Sequence, residues 1–157
     1  MPTSLILPSF SLLPYVTRRV LFICTGNYYR SRFAEALFNF EAEKRNLPWR
    51  AFSRGLAVHL AEGFLSPFTA EALLERKIEL RHTGPDRVQL GENDLTESEI
   101  RIGLDRNEHY PMIAKIFPAW LDQIQFWDVQ DLPFQSHTDA LPAIEKKVIH
   151  LLSHLPK

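Results

Sequence analysis

One short segment of the sequence combines a nucleophile, an anion-binding side chain and a glycine. It reads CTGNYYRS, from Cys24 to Ser31, and it contains the only cysteine of the chain. A loop between a strand and a helix can direct its backbone N–H groups toward one point, where the helix N-terminus adds positive potential. Gly26 gives such a loop the freedom to curl. A phosphate dianion fits this cradle, so we expect the loop to bind phosphate.

Arg30 and Cys24 give the predicted cradle its chemistry. The planar guanidinium of Arg30 can hold two oxygens of one phosphate group at once. The same cation and the helix N-terminus favour the thiolate form of Cys24, and a thiolate below a bound phosphate is an in-line nucleophile. We therefore predict covalent catalysis at Cys24. The alternative is that Cys24 is a small core residue at a strand end and that the spacing to Arg30 is coincidental.

A strand and a helix must flank this segment if it is to work as a phosphate loop. The run from Arg19 to Ile23 is apolar and β-branched, which predicts a buried strand, and apolar residues recur with helical spacing from Ser31. The later predicted strands are 50–53, 100–104 and 124–127, and the later predicted helices are 66–77, 108–117 and one that opens at Asp139. A capping-box pattern also predicts a short helical turn that starts at Thr96.

The alternation of strands and helices predicts the fold class. We expect an α/β protein, a three-layer αβα sandwich with a four-stranded parallel sheet and the phosphate-binding loop after the first strand. In such folds, chemistry gathers at the carboxyl ends of the strands. Cys24, Asp105, Asp128 and Asp131 all fall just past predicted strand ends, so we expect them on one edge of the sheet.

Length and composition are those of an ordinary globular domain and exclude several functions. The chain has 157 residues, of which 45% are hydrophobic and 24% charged. A formal net charge of -1 provides no basic excess for nucleic acid. A single cysteine excludes an intramolecular disulfide and a zinc site of several thiolates, and we expect no metal or other cofactor. A reactive thiolate predicts a reducing, cytoplasmic setting.

The N-terminal segment differs from the rest of the chain. Residues 1–17 carry no charged side chain, prolines interrupt their apolar run, and a pair of arginines follows it. A secretory signal has its basic residues first, and a membrane-spanning helix needs a longer apolar run, so we expect neither. We predict an apolar arm over residues 1–18 and a single domain over 19–157, as a monomer or weak dimer. Contact of the arm with a membrane surface is the alternative.

The segment VLFICTGNYYRSRFAEALF resembles the active-site signature of the low molecular weight protein tyrosine phosphatase family. The resemblance extends over about residues 19–155, because the order of the later elements also agrees. It implies that Cys24 is the nucleophile, that Arg30 binds phosphate and that Ser31 supports the thiolate leaving group. The implied phosphate-binding residues are Thr25, Gly26, Asn27, Tyr28, Tyr29, Arg30 and Ser31.

The resemblance also implies residues that support the loop and surround the substrate. Asn27 corresponds to a residue that holds the shape of the loop, and Ser53 corresponds to a serine that buttresses it from the end of the second strand. Asp105 corresponds to the aspartate that closes the third strand. The implied substrate rim consists of Tyr28, His59 and Phe134.

A general acid is the last part that the resemblance implies. A phenol-like leaving group needs a proton, and the family supplies it from an Asp-Pro loop after the fourth strand. That dipeptide is missing here, and the sequence DVQDLP offers Asp128 and Asp131 instead. We favour Asp131, because its spacing to Asp139 and the last helix matches the family; Asp128 is the alternative. Asp131 then protonates the departing oxygen as a phosphocysteine forms, and later activates water.

Two positions depart from the family pattern. Tyr29 occupies the place of a second cysteine that many members have, so an oxidised Cys24 has no resolving partner within the chain. Arg32 occupies the place of a proline. It is either a charge at the mouth of the site that recruits an anionic substrate or a solvated residue of the first helical turn.

The function implied is hydrolysis of phosphomonoesters, with phosphotyrosine in proteins favoured as the substrate. The expected partner is a phosphorylated protein or a small phosphate ester, and phosphate-like oxyanions should inhibit. One alternative is a phosphate- or phosphopeptide-binding module with weak or no turnover. Arsenate reduction on the same loop is less favoured, because its thioredoxin-linked form passes electrons through additional cysteines.

Overall fold

The structure is a computed structural model that describes residues 17–157. Its strands are Arg18–Cys24 (β1), Trp49–Gly55 (β2), Ile100–Gly103 (β3) and Gln125–Phe126 (β4). Its α-helices are Arg30–Lys44 (α1), Pro67–Glu75 (α2), Glu92–Thr96 (α3), Arg106–Ile116 (α4) and His137–Ser153 (α5). Short 3-10 helices connect several of these elements.

The four strands form one parallel sheet in the order β2-β1-β3-β4. The strand that precedes the predicted phosphate loop, β1, therefore lies inside the sheet, with a neighbour on each side. Its last residue, Cys24, pairs with Gly55 at the end of β2. The predicted α/β fold, with a four-stranded parallel sheet and the loop after the first strand, is confirmed.

Alternate residues of β1 anchor two separate cores, one on each face of the sheet. Val20 and Phe22 belong to the larger core, which α1, α2 and α5 cover. Leu21 and Ile23 belong to the smaller core, to which α3 and α4 contribute Leu95 and Ile113. Burying each of these large side chains stabilises the fold by about 1.5–3 kcal/mol. The central strand is thereby fixed on both faces, and so is the position of Cys24 at its end.

Local sequence signals explain most element boundaries. Helix α1 ends before Asn46, which adopts the left-handed backbone with a φ of 55°. Ser66 caps α2 by accepting a 3.2 Å hydrogen bond from the Phe68 backbone N–H, as expected. The predicted turn that starts at Thr96 is wrong, since α3 ends there. The helix instead begins after Gly91, whose N–H donates to Asp94 at 2.9 Å.

The predicted arm lies outside the described residues over 1–16. Arg18, at its predicted end, is the first residue of β1, and its backbone N–H donates to the Pro48 carbonyl at 2.9 Å. It therefore belongs to the sheet rather than to the arm. Over residues 17–157, the structure contains no helix with the length and apolar character needed to cross a membrane.

Candidate active site

A cavity of about 420 Å³ opens at the carboxyl end of β1, above the predicted phosphate loop. Cys24 lies at its floor and is only 2% exposed. The residues that line the cavity come from the loop, from the segment after β2 and from the loop after β4. They are Cys24, Thr25, Gly26, Tyr28, Tyr29, Arg30, Leu60, Ala61, Glu62 and Asp131. The sheet edge predicted to carry chemistry therefore contains a recess at the nucleophile.

The Cys24 sulfur has a hydroxyl partner. Its Sγ lies 2.8 Å from the Ser31 Oγ. The same oxygen accepts a 3.0 Å hydrogen bond from the Asn27 side-chain amide, which leaves the Ser31 proton free to point at the sulfur. A hydroxyl that donates to sulfur stabilises a thiolate. Ser31 is placed where it can support Cys24 both as a nucleophile and as a leaving group.

Asn27 is the residue that shapes the loop. It is buried and has a φ of 52°, the left-handed conformation that asparagine tolerates better than most residues. Its amide also donates to the Ser53 hydroxyl at 2.9 Å, and its Oδ1 accepts from the Val88 N–H at 2.8 Å. The loop is thus tied to Ser53 near the end of β2.

Gly26 does not supply the conformational freedom expected of it, because the left-handed residue of the loop is Asn27. Gly26 is needed for space: a Cβ atom there would lie 2.9 Å from the Cβ of Ala61. Gly55 has a similar role, since its Cβ would lie 2.8 Å from the Thr25 carbonyl oxygen. Both glycines let neighbouring segments approach the loop closely.

A buried polar cluster behind the loop extends from Ser53. The Ser53 hydroxyl donates to Glu35 at 2.6 Å, and the Thr83 hydroxyl donates to the same carboxylate oxygen at 2.9 Å. Arg32 donates from its Nε to Thr83 at 2.6 Å and from its Nη2 to the Gly84 carbonyl at 2.6 Å. We call Arg32, Glu35, Ser53 and Thr83 the rear cluster. It connects α1, β2 and the segment before α3.

Both predicted locations of Arg32 are wrong. The residue is fully buried, with 0% exposure, so it is neither a charge at the mouth nor a solvated side chain. Where the family pattern has a proline, Arg32 has a long side chain that reaches under the loop and donates to the backbone carbonyls of Phe64 and Gly84. Burial lowers the pKa of Arg32 and raises the pKa of Glu35, since both charges are removed from water.

Arg30 lies on the cavity side of the loop. Its Nη1 donates to the Val129 carbonyl and its Nη2 donates to a Glu108 oxygen, both at 2.9 Å, and Asp131 lies 3.5 Å from Nη2. Burial opposes the charge, but the negative groups of Cys24, Glu108 and Asp131 outweigh it and raise the pKa of the guanidinium. Arg30 is therefore held as a cation between the loop and the segment after β4.

Glu108 is a site residue that the sequence analysis missed. It belongs to the first turn of α4, and its Oε2 accepts hydrogen bonds from Arg30 and from the Thr25 hydroxyl. Burial acts to raise the pKa of Glu108, but the contacts with His109 and Arg30 hold it well below its usual range. Glu108 is thus ionised at neutral pH and cannot be the proton donor. The sequence feature that could have indicated Glu108 as a site residue was its position at the start of a predicted helix.

Asp105 acts on this part of the site through its backbone. Its N–H donates to the Nδ1 of the buried His109 at 3.0 Å, so the ring must carry its proton on Nε2. That nitrogen lies 3.2 Å from the Thr25 hydroxyl and 3.3 Å from Glu108. We call Arg30, Glu108, His109 and Thr25 the front cluster. Asp105, predicted as a supporting residue, lies behind this cluster and holds the His109 ring through its backbone N–H.

The two candidates for the general acid occupy different environments. Asp131 lines the cavity, with its side chain 45% exposed and its Oδ2 near Arg30. Asp128 has a side chain that is 85% exposed and pairs with Lys147 at 3.2 Å, and it is not among the cavity-lining residues. The geometry therefore favours Asp131.

The predicted rim is only partly correct. Tyr28 lines the cavity, but His59 is exposed on the short 3-10 helix Val58–Leu60 and does not. The adjoining wall consists instead of the next three residues of the chain, Leu60, Ala61 and Glu62. Phe134 is 82% exposed and borders a neighbouring depression with Asp105 and Glu108 instead.

Comparison with known proteins agrees with this geometry. The family model described as "Low molecular weight phosphotyrosine protein phosphatase" matches residues 19–157. The chain belongs to this family. It is therefore a cysteine-dependent, metal-independent phosphatase of the low molecular weight type, and the resemblance stated from the loop sequence is confirmed.

Individual proteins are also similar to this chain. The protein-arginine-phosphatase of Bacillus subtilis (strain 168) is 31% identical over 122 residues, 78% of this chain and 77% of the relative. The low molecular weight protein tyrosine phosphatase of T. tengcongensis shares the fold, with a TM-score of 0.76 and 23% identity, covering 88% of this chain and 99% of that one. A mutant of the YwlE arginine phosphatase from Bacillus subtilis has a phosphorylated active-site serine, with a TM-score of 0.67, 26% identity and coverage of 85% and 90%.

Proposed function

We propose that this phosphatase hydrolyses phosphotyrosine in proteins through a phosphocysteine at Cys24, with Asp131 as general acid. The observation that carries the proposal is that Cys24, Arg30 and Asp131 line one cavity. A nucleophile at the floor, a cation that can hold equatorial oxygens and a carboxylic acid on another loop are the parts that an in-line displacement needs.

The first step forms the phosphoenzyme. The Cys24 thiolate attacks phosphorus while the bond to the leaving oxygen breaks, and protonated Asp131 transfers its proton to that oxygen. Arg30 and the backbone N–H groups of the loop bind the equatorial oxygens as negative charge builds up on them. Glu108 remains ionised and keeps the Arg30 guanidinium in place.

The second step releases phosphate. Asp131, now a carboxylate, accepts a proton from water as the water oxygen attacks phosphorus, and the P–S bond breaks. The electron pair of that bond returns to the Cys24 sulfur as thiolate, which the Ser31 hydroxyl stabilises. Asp131 is then protonated and ready for another substrate.

The walls of the cavity suit an aromatic substrate. Tyr28 of the phosphate loop and Leu60 of the segment after β2 line it and offer apolar surface on which a phenyl ring can pack. Leu60 is 69% exposed, so much of its side chain is free to meet a substrate. These contacts support phosphotyrosine over a small aliphatic phosphate ester.

A second candidate substrate is phosphoarginine in proteins. The curated relative at 31% identity is a protein-arginine-phosphatase. In this chain, Glu62 lines the cavity, and a carboxylate at the rim is suited to a cationic guanidinium. The chemistry at Cys24 is unchanged, because the bond to nitrogen breaks in place of the bond to oxygen.

The test compares turnover of matched peptides that carry phosphotyrosine or phosphoarginine, with reductant and without added metal. We expect the wild type to turn over, Cys24→Ser to be inactive, and Asp131→Ala to lose roughly 10²–10⁴-fold in kcat. Asp128→Ala is the matched control, and its kcat should stay within about twofold of the wild type, as expected of an exposed residue.

A folded wild type that binds phosphate but turns over neither peptide would make the chain a binding module. The kcat/KM ratio for the two peptides decides the substrate.

We also propose a cellular setting and a set of inhibitors. A catalytic thiol without a resolving cysteine in the chain needs a reducing environment, which supports a cytoplasmic location. Phosphate-like oxyanions such as vanadate should occupy the loop and inhibit competitively.

The domain over 19–157 should act as a monomer or weak dimer, with the arm packed on it or on a second copy of the chain. Sedimentation of the full chain and of an arm-deleted chain tests this oligomeric state.

A further inference from the structure

One polar atom beside the active site has no hydrogen-bond partner among the described residues. It is the hydroxyl of Tyr29, which is fully enclosed. Tyr29 is 6% exposed, and its ring meets Phe68 edge-on with the centroids 6.4 Å apart. Leaving a buried hydroxyl unpaired costs folding free energy, so an unpaired one beside a cavity is a candidate donor to a bound or rearranged group.

The position of Tyr29 relates it to the general acid. Tyr29 and Asp131 line the same cavity, from opposite loops. Burial raises the pKa of Tyr29 to about 12, the charge of Asp131 adds to that effect, and Arg30 opposes it. The phenol therefore keeps its proton at neutral pH, so it can act only as a hydrogen-bond donor or acceptor beside the cavity.

Substrate binding should change the partners of Asp131. Its Oδ2 lies 3.5 Å from the Arg30 Nη2, and its Oδ1 accepts a 2.8 Å hydrogen bond from the Leu132 N–H. A phosphate group in the loop competes for the Arg30 N–H groups, since two equatorial oxygens are a better match for the guanidinium fork than a carboxylate at 3.5 Å. Asp131 then loses its contact with Arg30. The Tyr29 hydroxyl has a proton that no described residue accepts.

We infer that Tyr29 is a positioning residue for the general acid: its hydroxyl donates a hydrogen bond to the Asp131 carboxyl when substrate is bound. The inference rests on the proposed role of Asp131. One Asp131 oxygen transfers its proton to the leaving atom, the other accepts from Tyr29, and Tyr29 keeps its own proton. As the leaving bond breaks, Asp131 gains negative charge and the hydrogen bond strengthens, which stabilises the transition state more than the bound substrate.

Tyr29→Phe tests the inference, because it removes only an oxygen that has no hydrogen-bond partner within residues 17–157. The readout is kcat/KM, which reports phosphoenzyme formation, on two aryl phosphates. Phenyl phosphate has a poor leaving group that needs the acid, whereas p-nitrophenyl phosphate needs little protonation. We expect a loss of about tenfold on phenyl phosphate and less than about twofold on p-nitrophenyl phosphate. Tyr110→Phe, on the exposed side of α4, is the matched control and should change neither.

A double-mutant cycle provides the decisive outcome. In an Asp131→Ala background, Tyr29→Phe should have no further effect on phenyl phosphate, because the group that it positions is gone. An equal loss on both substrates, a loss that persists without Asp131, or no loss at all overturns the inference. An inactive wild type is a different result, since it contradicts the proposed function itself.

Discussion

Arg30 and Arg32 are two positions apart at the start of α1 and both are buried, yet they serve opposite sides of the phosphate loop. Arg30 lines the cavity, where it bonds to Glu108 and lies near Asp131. Arg32 lies behind the loop and donates to Thr83 and to backbone carbonyls. The front cluster faces the ligand, whereas the rear cluster holds the loop in shape.

Glu108 and Glu35, the carboxylates beside the two arginines, have pKa values that are shifted in opposite directions. Although burial acts to raise the pKa of Glu108, contacts with His109 and Arg30 hold it below its usual range. Burial raises the pKa of Glu35, and the hydroxyls of Ser53 and Thr83 only partly offset the effect. On the cavity side of the loop, ion pairing keeps Glu108 charged beside the cation that binds the ligand. Behind the loop, hydrogen bonds to neutral groups fix the backbone.

The largest expected effect separates the two arginines by activity. Arg30→Lys replaces a planar fork with a point charge and should lower kcat/KM by roughly 10²–10³-fold, because bidentate binding of the equatorial oxygens is lost. The free energy of unfolding should change little in comparison. Steady-state kinetics on an aryl phosphate and urea unfolding provide the two readouts. A variant that keeps wild-type activity would remove Arg30 from the phosphate site.

Substitution of Arg32 should act mainly on the free energy of unfolding rather than on catalysis. Arg32→Met leaves the buried Glu35 without its cation and several carbonyls without their donor, so the free energy of unfolding should fall by about 3–5 kcal/mol. The exposed Arg45, paired with Glu41 on the surface of α1, is the control, and Arg45→Met should cost less than about 1 kcal/mol. Urea unfolding measures both. A loss at Arg32 no larger than the loss at Arg45 would contradict the supporting role of the rear cluster.

The pH dependence of stability should have opposite signs in the two clusters. A raised pKa means that folded Glu35 resists ionisation, so its contribution to stability falls as pH rises from its ordinary range through the raised value. A lowered pKa means that Glu108 contributes stability above its ordinary range and loses it as pH falls. Relative to the wild type, Glu35→Gln should therefore gain stability toward neutral pH, and Glu108→Gln should lose it.

Unfolding measured from acidic to neutral pH checks these signs. Asp122→Asn, a change at an exposed carboxylate, is the control and should leave the pH profile of the wild type unchanged. Parallel profiles for Glu35→Gln and Glu108→Gln would show that the two clusters do not differ electrostatically.

The smallest effect concerns Asn27, which ties the phosphate loop to Ser53 of the rear cluster. Asn27→Gly keeps the left-handed backbone but loses the side-chain hydrogen bonds, whereas Asn27→Ala also places a Cβ at a φ of 52°. We expect Ala to be less stable than Gly by about 0.4–1 kcal/mol, and both to be less active than the wild type. Thermal unfolding of the pair checks the order. Equal stability of the Gly and Ala variants would mean that the left-handed backbone at position 27 costs no folding free energy for a residue with a Cβ atom.

The sequence predicted the parts of this molecule that are local along the chain. The strand before Cys24, the helix after it and the alternation of later elements follow from apolar spacing over short windows. The relation of Cys24 to Arg30 and Ser31 is also local, because one loop contains all three. These features could be recognised without knowing where any other segment lies.

The features that depended on distant segments were predicted poorly. Arg32 is buried because residues around Thr83 and Gly84 fold beneath the loop, and no local pattern marks that contact. Glu108 reaches Arg30 only because β3 and β1 are neighbours in the sheet. His59 is exposed on a short 3-10 helix and lies outside the cavity lining, and a helical or strand period cannot indicate such a short element.

The measurement that most directly tests the central claim is trapping of the phosphoenzyme. Asp131→Ala, which should slow the attack of water more than formation of the intermediate from a good leaving group, is mixed with p-nitrophenyl phosphate and quenched at short times. Peptide mass spectrometry under conditions that preserve the P–S bond should locate one phosphoryl group on Cys24, and none at this position in the Cys24→Ala, Asp131→Ala double variant. Turnover by the wild type without any phosphoryl group on Cys24 would contradict the account.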